Sequence, residues 1–263
     1  MLFLIKILVT LVVVVGLSWI AERAGPKVAG VLAGYPHGIA IVLYFIGVEQ
    51  GVGFAADAAL FAMGGLAGNV VLAYVYARLA HAQTPGNVVL ALLGSVAAFL
   101  AVALALRPLE LNAWAASAVT LGAVVLVSAL MRRVAQGGIA RKPRIGMKEV
   151  VIRAALAAAI VLTLTGLAHV VGPVWAGLLA GFPVASMPLF LIIHLEYGPA
   201  AVGAVIGAYP FGLVCLLVYT GTVAWSFAAF GMGLGTAVGF VAATVYLLAL
   251  MAVSGFRTRR RGA

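Results

Sequence analysis

The chain has 263 residues, of which 65% are hydrophobic and only 8% are charged. This composition excludes a soluble globular domain, in which about a quarter of the residues are charged. The formal net charge of +10 does not indicate a nucleic-acid partner, because the sixteen basic residues lie between and after the apolar stretches and form no aromatic-studded basic face. The single cysteine, Cys215, lies in an apolar stretch and is expected to be a packed, inert thiol.

Apolar stretches long enough to cross a bilayer recur along almost the whole chain. A span of roughly 30 Å of hydrocarbon needs about 17 to 25 residues of helix. We therefore predict an all-α integral membrane protein, embedded in the lipid bilayer, with about nine transmembrane helices. The predicted spans are residues 2–20, 28–48, 52–80, 88–106, 114–131, 150–171, 174–195, 200–229 and 234–254.

The sequence contains an internal repeat. A shift of 147 positions gives 11 identical residues in the 27 positions that begin at Gly25. Two prolines and a carboxylate match in register, which low complexity among apolar residues would not produce. The register extends back to the first apolar stretch, so we expect this stretch to belong to the mature protein and not to be a signal peptide. The matches are Ile5-Lys6 with Ile152-Arg153, Gly25-Pro26 with Gly172-Pro173, Ala29-Gly30 with Ala176-Gly177, Ala33-Gly34-Tyr35-Pro36 with Ala180-Gly181-Phe182-Pro183, and Glu49 and Gly51 with Glu196 and Gly198.

The fifth predicted span has no counterpart, and one additional crossing reverses the second copy. We therefore expect a four-helix repeat (1–106), a linking transmembrane helix with a basic cytoplasmic loop (107–149), and an inverted four-helix repeat with a basic C-terminal tail (150–263). With that loop in the cytoplasm, 14 of the 16 Lys and Arg residues lie on the inner side and only Lys6 and Arg107 lie outside. This predicts a multi-pass protein of the cell (inner) membrane, with the N-terminus outside and the C-terminus cytoplasmic.

The pattern of Ile5-Lys6, Ala29-Gly30, Pro36 and Glu49-x-Gly51 resembles the GlpM family of small four-span bacterial inner-membrane proteins. The resemblance implies two such units fused in opposite orientations. The overall plan is also similar to the drug/metabolite transporter superfamily, in which small four-span proteins pair antiparallel and larger ones fuse inverted halves. That second similarity is architectural only.

Glycines and prolines inside the predicted spans mark candidate helix breaks. Broken backbone in hydrocarbon is tolerated only beside protein or a water-filled cavity, and paired breaks in inverted halves point to a transport site. The alternative is that the same residues only provide smooth surfaces for helix packing. The residues expected to line a cavity are Gly34, Pro36, Gly64, Gly65, Gly181, Pro183, Ser186, Pro210 and Gly212.

Three polar residues within the spans are candidates for binding a substrate or an ion. Asp57 lies among apolar residues, where a charged carboxylate costs a few kcal/mol. It is expected either to protonate and face a polar cavity, or to be shallow enough to reach outer water. His37 follows the first break and could bind a substrate, relay a proton or only pack. Asn69 could line a polar path or join helices.

Glu49 and Glu196 occupy equivalent positions in the two copies, each two residues before a glycine at a turn. One interpretation is that each caps the next helix, where a carboxylate meets unpaired N–H groups and a favourable dipole. The other is that each is a gate or an ion-binding group. Inversion would place Glu49 at the outer surface and Glu196 at the inner one.

The sequence has no spacing typical of metal ligands and no nucleophile motif, so we expect neither an enzyme nor a cofactor. The predicted function is that of a secondary transporter that moves a small solute by alternating access of the two repeats, with proton coupling through Asp57 as an option. The scarcity of charge favours a neutral, weakly cationic or amphiphilic substrate. The alternative is a non-transporting membrane protein that scaffolds or regulates a partner complex. A homo-oligomer is compatible with both.

Overall fold

A computed structural model describes residues 1–24, 34–109, 111–131 and 146–261, without the side chains of residues 17–24, 208, 211 and 253–261. All regular elements in these ranges are helical. They are α1 (Leu2–Ala24), α2 (His37–Gln50), α3 (Val52–Leu79), α4 (Pro85–Leu106), a 3-10 turn (Arg107–Leu109), α5 (Ala113–Met131), α6 (Met147–Ala180) and α7 (Ser186–Arg261). The repeat matches at Gly25-Pro26, Ala29-Gly30 and Ala33, and most of the predicted basic loop, lie outside the described residues.

The two longest helical runs are interrupted at glycines. Gly172 interrupts α6, while Gly198 and Gly231 interrupt α7, with φ values of 76°, 80° and 76° and extended ψ values. Gly51, between α2 and α3, has a similar conformation, with φ 96° and ψ 163°. This backbone region is accessible almost only to glycine, so each of these residues divides two helical segments. We call the segments α6a (147–171), α6b (173–180), α7a (186–197), α7b (199–230) and α7c (232–261).

Among the described residues, six helical stretches are long and apolar enough to cross a membrane. Shorter apolar helices occupy Leu2–Gly16 and His37–Gln50. Large apolar side chains such as Leu93, Leu104, Val125 and Leu248 are more than half exposed on the outer faces of these helices, as expected for a surface in contact with lipid. The prediction of an all-α membrane protein is confirmed. The six stretches are Val52–Leu79, Pro85–Leu109, Ala113–Met131, Met147–Ala180, Ser186–Gly207 and Gly212–Ala252.

The central helix is α3, which packs against each of α4, α5, α6 and α7. Its inner face has small residues at helical spacing, among them Ala55, Ala58 and Ala62, all fully buried. Small residues let neighbouring backbones approach closely, and here a Cβ atom at Gly177 of α6b would collide with the Ala58 carbonyl group.

Two pairs of helices run antiparallel, as their contacts show. Lys6, near the start of α1, donates to Thr165, near the end of α6a, at 2.7 Å. Met63 of α3 lies against Gly221 of α7b, whereas the later residue Asn69 bonds the earlier residue Tyr209. The order of contacts is therefore reversed along α3 and α7b. Helices α1 and α6 pack extensively with the start of one beside the end of the other, so they also run antiparallel.

The backbone is non-helical at Gly34–Pro36 and at residues 181–185, which include Pro183. The expectation of breaks at the other glycine and proline positions was wrong. Helix α3 continues through Gly64 and Gly65, and α7b continues through Pro210 and Gly212. Close packing maintains these helices, because Gly65 and Gly212 accept neighbouring backbone, whereas Gly64 lies beside leucine side chains.

The glycine contacts predict that one added methyl group lowers the free energy of unfolding at a packed position of α3 but not at an open position of α5. Gly65→Ala places a Cβ 3.0 Å from the carbonyl carbon of Leu178, so we expect a loss of about 1–3 kcal/mol in unfolding free energy. Gly122 of α5 has no atom within 4 Å of the same position, so Gly122→Ala should be neutral or stabilising by up to about 1 kcal/mol. Unfolding midpoints of the purified variants in detergent measure both. Equal midpoints would show that the α3 interface is looser than described.

Candidate functional site at the helix breaks

Each break lies against the glycine-containing middle of a helix. A Cβ atom at Gly212 would lie 2.7 Å from the Gly34 Cα, and one at Gly181 would lie 2.5 Å from the Gly65 carbonyl carbon. Neither place has room for a side chain. The break before α2 is therefore packed on α7b, and the break before α7a is packed on α3.

The N-termini of α2 and α7a adjoin each other at these breaks. A Cβ atom at Gly38, the second residue of α2, would lie 3.3 Å from the Val184 Cβ and 3.4 Å from the Ala185 nitrogen. From this point the helices lead to opposite ends of α3. Helix α2 ends beside the start of α3, and α7a ends beside residues at the other end of α3, including Tyr76. Two N-terminal ends, each with the partial positive charge of a helix dipole, are thus adjacent inside the protein. Some of their N–H groups are already paired, since His37 donates to the Tyr35 carbonyl oxygen and Met187 to the Pro183 carbonyl oxygen.

Asn69 satisfies broken backbone at the second break. Its Nδ2 donates to the Gly181 carbonyl oxygen at 2.8 Å, and its Oδ1 accepts from the Tyr209 hydroxyl at 3.0 Å. All three groups are buried. The amide therefore connects α3, the break and α7b in one hydrogen-bond network. Asn69 joins helices, as one of its two interpretations predicted, and it does so at the break.

His37 and Arg153 lie close to the two N-termini. His37 is the first residue of α2 and is 4% exposed, and neither ring nitrogen has a hydrogen-bond partner among the described residues. Arg153 of α6a donates from Nε to the Ala185 carbonyl oxygen at 3.4 Å and lies within electrostatic reach of His37. A buried polar group without a partner is costly, so the imidazole needs an explanation that packing does not provide.

Two small cavities lie near these elements. One, of about 20 Å³, is lined at the breaks by residues that include Tyr35, Gly38, Ser186 and Tyr209. The other, of about 10 Å³, is apolar and adjoins Gly64. The larger holds about one water molecule, so the centre of the protein is closed in this conformation.

Near the end of α2, a partly buried ion pair joins α1 to α2, and its lysine also bonds α6a. The Lys6 ammonium group is 5% exposed and donates to the Glu49 carboxylate at 2.7 Å and to the Thr165 hydroxyl at 2.7 Å. It also lies 5.9 Å from the centre of the Phe45 ring. Sequence reasoning placed Lys6 outside as an ordinary charge and missed this role. The available signal was that both copies carry a cation at this register, Lys6 and Arg153.

The end of α7a is closed by a second polar cluster. His194 is fully buried; its Nδ1 lies 3.1 Å from the Tyr76 hydroxyl and its Nε2 lies 3.1 Å from the Ala82 carbonyl oxygen. Gln83 donates to the Leu195 carbonyl oxygen at 2.8 Å. These bonds join α7a to the end of α3 and the segment that follows it.

Two carboxylates expected at a site lie elsewhere. Asp57 is exposed on the outer face of α3, opposite the stripe of buried alanines, so it does not line an interior cavity. Glu196 is exposed at the end of α7a. Glu49 does not cap α3, because Gly51 is the N-cap and no side chain bonds there; its carboxylate accepts from Lys6 instead.

Comparison of the chain with protein-family models, curated proteins and solved structures gave no match. The resemblance to the GlpM family therefore stays a prediction, and the functional argument depends on the site itself.

The ion pair predicts a non-additive pair of substitutions. Glu49→Leu leaves the Lys6 charge buried without its carboxylate, so we expect a loss of about 3 kcal/mol in unfolding free energy. Adding Lys6→Met to that variant removes the buried charge and should restore most of the loss. Unfolding midpoints in detergent of both single variants and the double variant give the coupling energy. Additive effects would exclude a direct interaction between the two groups.

Proposed function

We propose that this protein moves a small solute across the cell membrane by alternating access between two inverted repeats. The observation that carries the proposal is the reciprocal packing of the two helix breaks. Irregular backbone inside a membrane protein is typical of substrate sites in transporters built from repeats. In this reading the breaks at Gly34 and Gly181 are the site, and α2 and α7a are its moving parts.

The repeat register supports this proposal. A shift of 147 residues aligns Gly34 with Gly181 and Gly65 with Gly212. The same shift therefore relates the Gly34 contact with Gly212 to the Gly181 contact with Gly65. Contacts that exchange partners in this way are characteristic of two copies related by a twofold axis. The matching backbone conformations of Gly51 and Gly198 support the same register.

The direction of the helices supports inversion. Under the repeat register, α1 is equivalent to α6a and α3 is equivalent to α7b, and both pairs run antiparallel. A twofold axis that relates antiparallel neighbours is perpendicular to them, so it lies in the membrane plane when the helices cross the bilayer. Glycines 51, 172, 198 and 231 then connect successive spans, which agrees with the nine-helix arrangement, α5 being the unpaired helix.

The described conformation is closed at both ends in this proposal. Lys6 and Glu49 join helices on the outer side, and His194 joins α7a to the end of α3 on the inner side. Access to the site requires that one of these clusters opens. The repeats also differ in a way that alternation explains, because Lys6 binds Glu49 whereas its register mate Arg153 reaches the break at Ala185. Exchange of these two arrangements, with Arg153 moving to Glu196, would produce the opposite-facing state.

A second function has an observation in its favour. The interior is packed, and a cavity of about 20 Å³ admits no metabolite without movement. A protein that scaffolds or regulates a partner complex would need no larger cavity, and its breaks would serve only close packing. The two functions differ in whether the centre of the protein ever becomes accessible to water.

Cysteine accessibility at Ser186 tests transport against scaffolding. Ser186 is buried at the N-terminus of α7a and lines the cavity. In a Cys215→Ser background, we expect Ser186→Cys to be labelled by a membrane-impermeant maleimide from the outside in spheroplasts and from the inside in inverted vesicles, because each state exposes the site to one side. Labelling followed by mass-shift electrophoresis gives the rate on each side.

The matched control is Ser95→Cys, which is fully buried in the middle of α4 and does not line the cavity at the breaks. It should remain unlabelled from both sides. If Ser186→Cys were equally inert from both sides, the centre would never open and the scaffold function would replace transport.

Reporter fusions test the proposed orientation. Alkaline phosphatase fused after Leu109 should be active, because this position is expected to lie outside the cell membrane. The same enzyme fused after Arg144 should be inactive, and a fluorescent protein at the C-terminus should fluoresce in the cytoplasm. Active phosphatase at both positions would overturn the assignment of the basic loop to the cytoplasm.

A further inference from the structure

The charges at the two breaks specify the kind of molecule that would bind there. We propose that the adjoining N-termini of α2 and α7a form a binding site for a small oxyanion, a molecule with a carboxylate or phosphate group, with His37 and Arg153 as its side-chain ligands. As a statement about substrate class, this inference rests on the proposed transport function; as a statement about binding, it does not.

Three sources of positive potential converge at this place. Helix N-termini attract anions because their first N–H groups are unpaired and the helix dipole adds a partial positive charge. Here two such termini adjoin, with Gly38 against Ala185. The Arg153 guanidinium group reaches the same break, with Nε 3.4 Å from the Ala185 carbonyl oxygen. Guanidinium is suited to carboxylate and phosphate oxygens because its N–H groups form a planar fork.

His37 provides the independent observation. Its imidazole is buried at the first residue of α2; the Tyr35 backbone lies near it, but neither ring nitrogen makes a hydrogen bond of good geometry with a described residue. A structural histidine in this position would be expected to bond a neighbour. An oxyanion at the α2 N-terminus would accept a hydrogen bond from the ring and remove this deficit.

The described carboxylates lie elsewhere. Glu49 pairs with Lys6, and Asp57 and Glu196 are exposed. Glu149, one turn before Arg153, lies against Gly146 at the start of α6. A bound oxyanion would add negative charge beside the two N-termini. This proposal differs from the expectation of a neutral or weakly cationic substrate, which was based on the number of charges in the sequence and not on their positions in the fold.

The size of the cavity couples binding to movement. The cavity of about 20 Å³ between Gly38 and Ser186 accommodates one water molecule, and a carboxylate group needs more space. His37 and Arg153 do not line this cavity in the described conformation. An oxyanion can enter only if the N-termini of α2 and α7a separate. Binding should therefore favour a more open conformation and increase the accessibility of Ser186.

The test uses the purified full-length chain in detergent, with acetate, benzoate and inorganic phosphate as probes at constant ionic strength set with sodium chloride. We expect at least one probe to raise the unfolding midpoint saturably, because a ligand that binds the folded state stabilises it. Choline chloride, which adds a cation instead of an oxyanion, should have no saturable effect.

Substitutions at the site should weaken that effect specifically. Arg153→Gln is expected to reduce the apparent affinity at least tenfold, about the value of one hydrogen bond to a charged group, and Arg153→Lys to reduce it less. Arg107→Gln removes the same charge from an exposed arginine and should leave the affinity unchanged.

The His37→Leu variant distinguishes a histidine that binds the oxyanion from one that only packs. Without a probe, this variant should unfold at a higher temperature than wild type, because it removes an unpaired buried imidazole. With the probe, its affinity should fall at least tenfold. A lower midpoint for His37→Leu together with unchanged affinity would assign His37 to packing.

The inference is overturned if no probe stabilises the protein saturably, or if all variants respond to the probe as wild type does. If Arg153→Gln does not fold, Arg153→Lys and His37→Leu decide the question. Oxyanion binding without two-sided labelling at Ser186 would retain the site and reject transport. Two-sided labelling without oxyanion binding would retain transport and reject this substrate class.

Discussion

The structure depends on two backbone contacts, Gly34 with Gly212 and Gly181 with Gly65. Each brings an irregular segment against a continuous helix at a distance that only glycine permits. Hydrocarbon cannot hydrogen-bond backbone groups, so broken helices must be enclosed by protein. These contacts provide the enclosure, and Asn69 completes it by bonding the Gly181 carbonyl group. The adjoining helix N-termini, the position of His37 and the small central cavity all follow from this arrangement.

The same packing determines the surroundings of the buried charged groups. Few ionisable groups lie inside the protein, and the fold treats them differently. Lys6 has a carboxylate partner near the end of α2, whereas Arg153 at the equivalent register reaches the centre. In the proposed transporter, the two halves would exchange roles between alternative states, so equivalent residues would have different surroundings in any one state.

Much of the fold could be predicted from the sequence, because apolar length and composition alone require membrane helices. The breaks at Gly34–Pro36 and at Gly181 and Pro183 were predictable because glycine and proline both disfavour helix there. The same residues at Gly64-Gly65 and Pro210 remain helical because tertiary packing overrides local preference. The orientation of Asp57 could have been predicted from the stripe of small residues at Ala55, Ala58 and Ala62, whose spacing turns the carboxylate outward.

The site itself required three-dimensional information. Lys6 and Glu49 are 43 residues apart, and Asn69 and Gly181 are 112 residues apart, so no local pattern relates them. Equally, no count of charges shows that two helix N-termini adjoin beside Arg153. The closed centre then has a specific consequence. The glycine contacts that enclose the breaks also exclude any solute, so a molecule bound between α2 and α7a must replace at least one of them. Its oxygens would have to compensate for the backbone packing that is lost, and the positive potential of the two N-termini is the interaction available to do so.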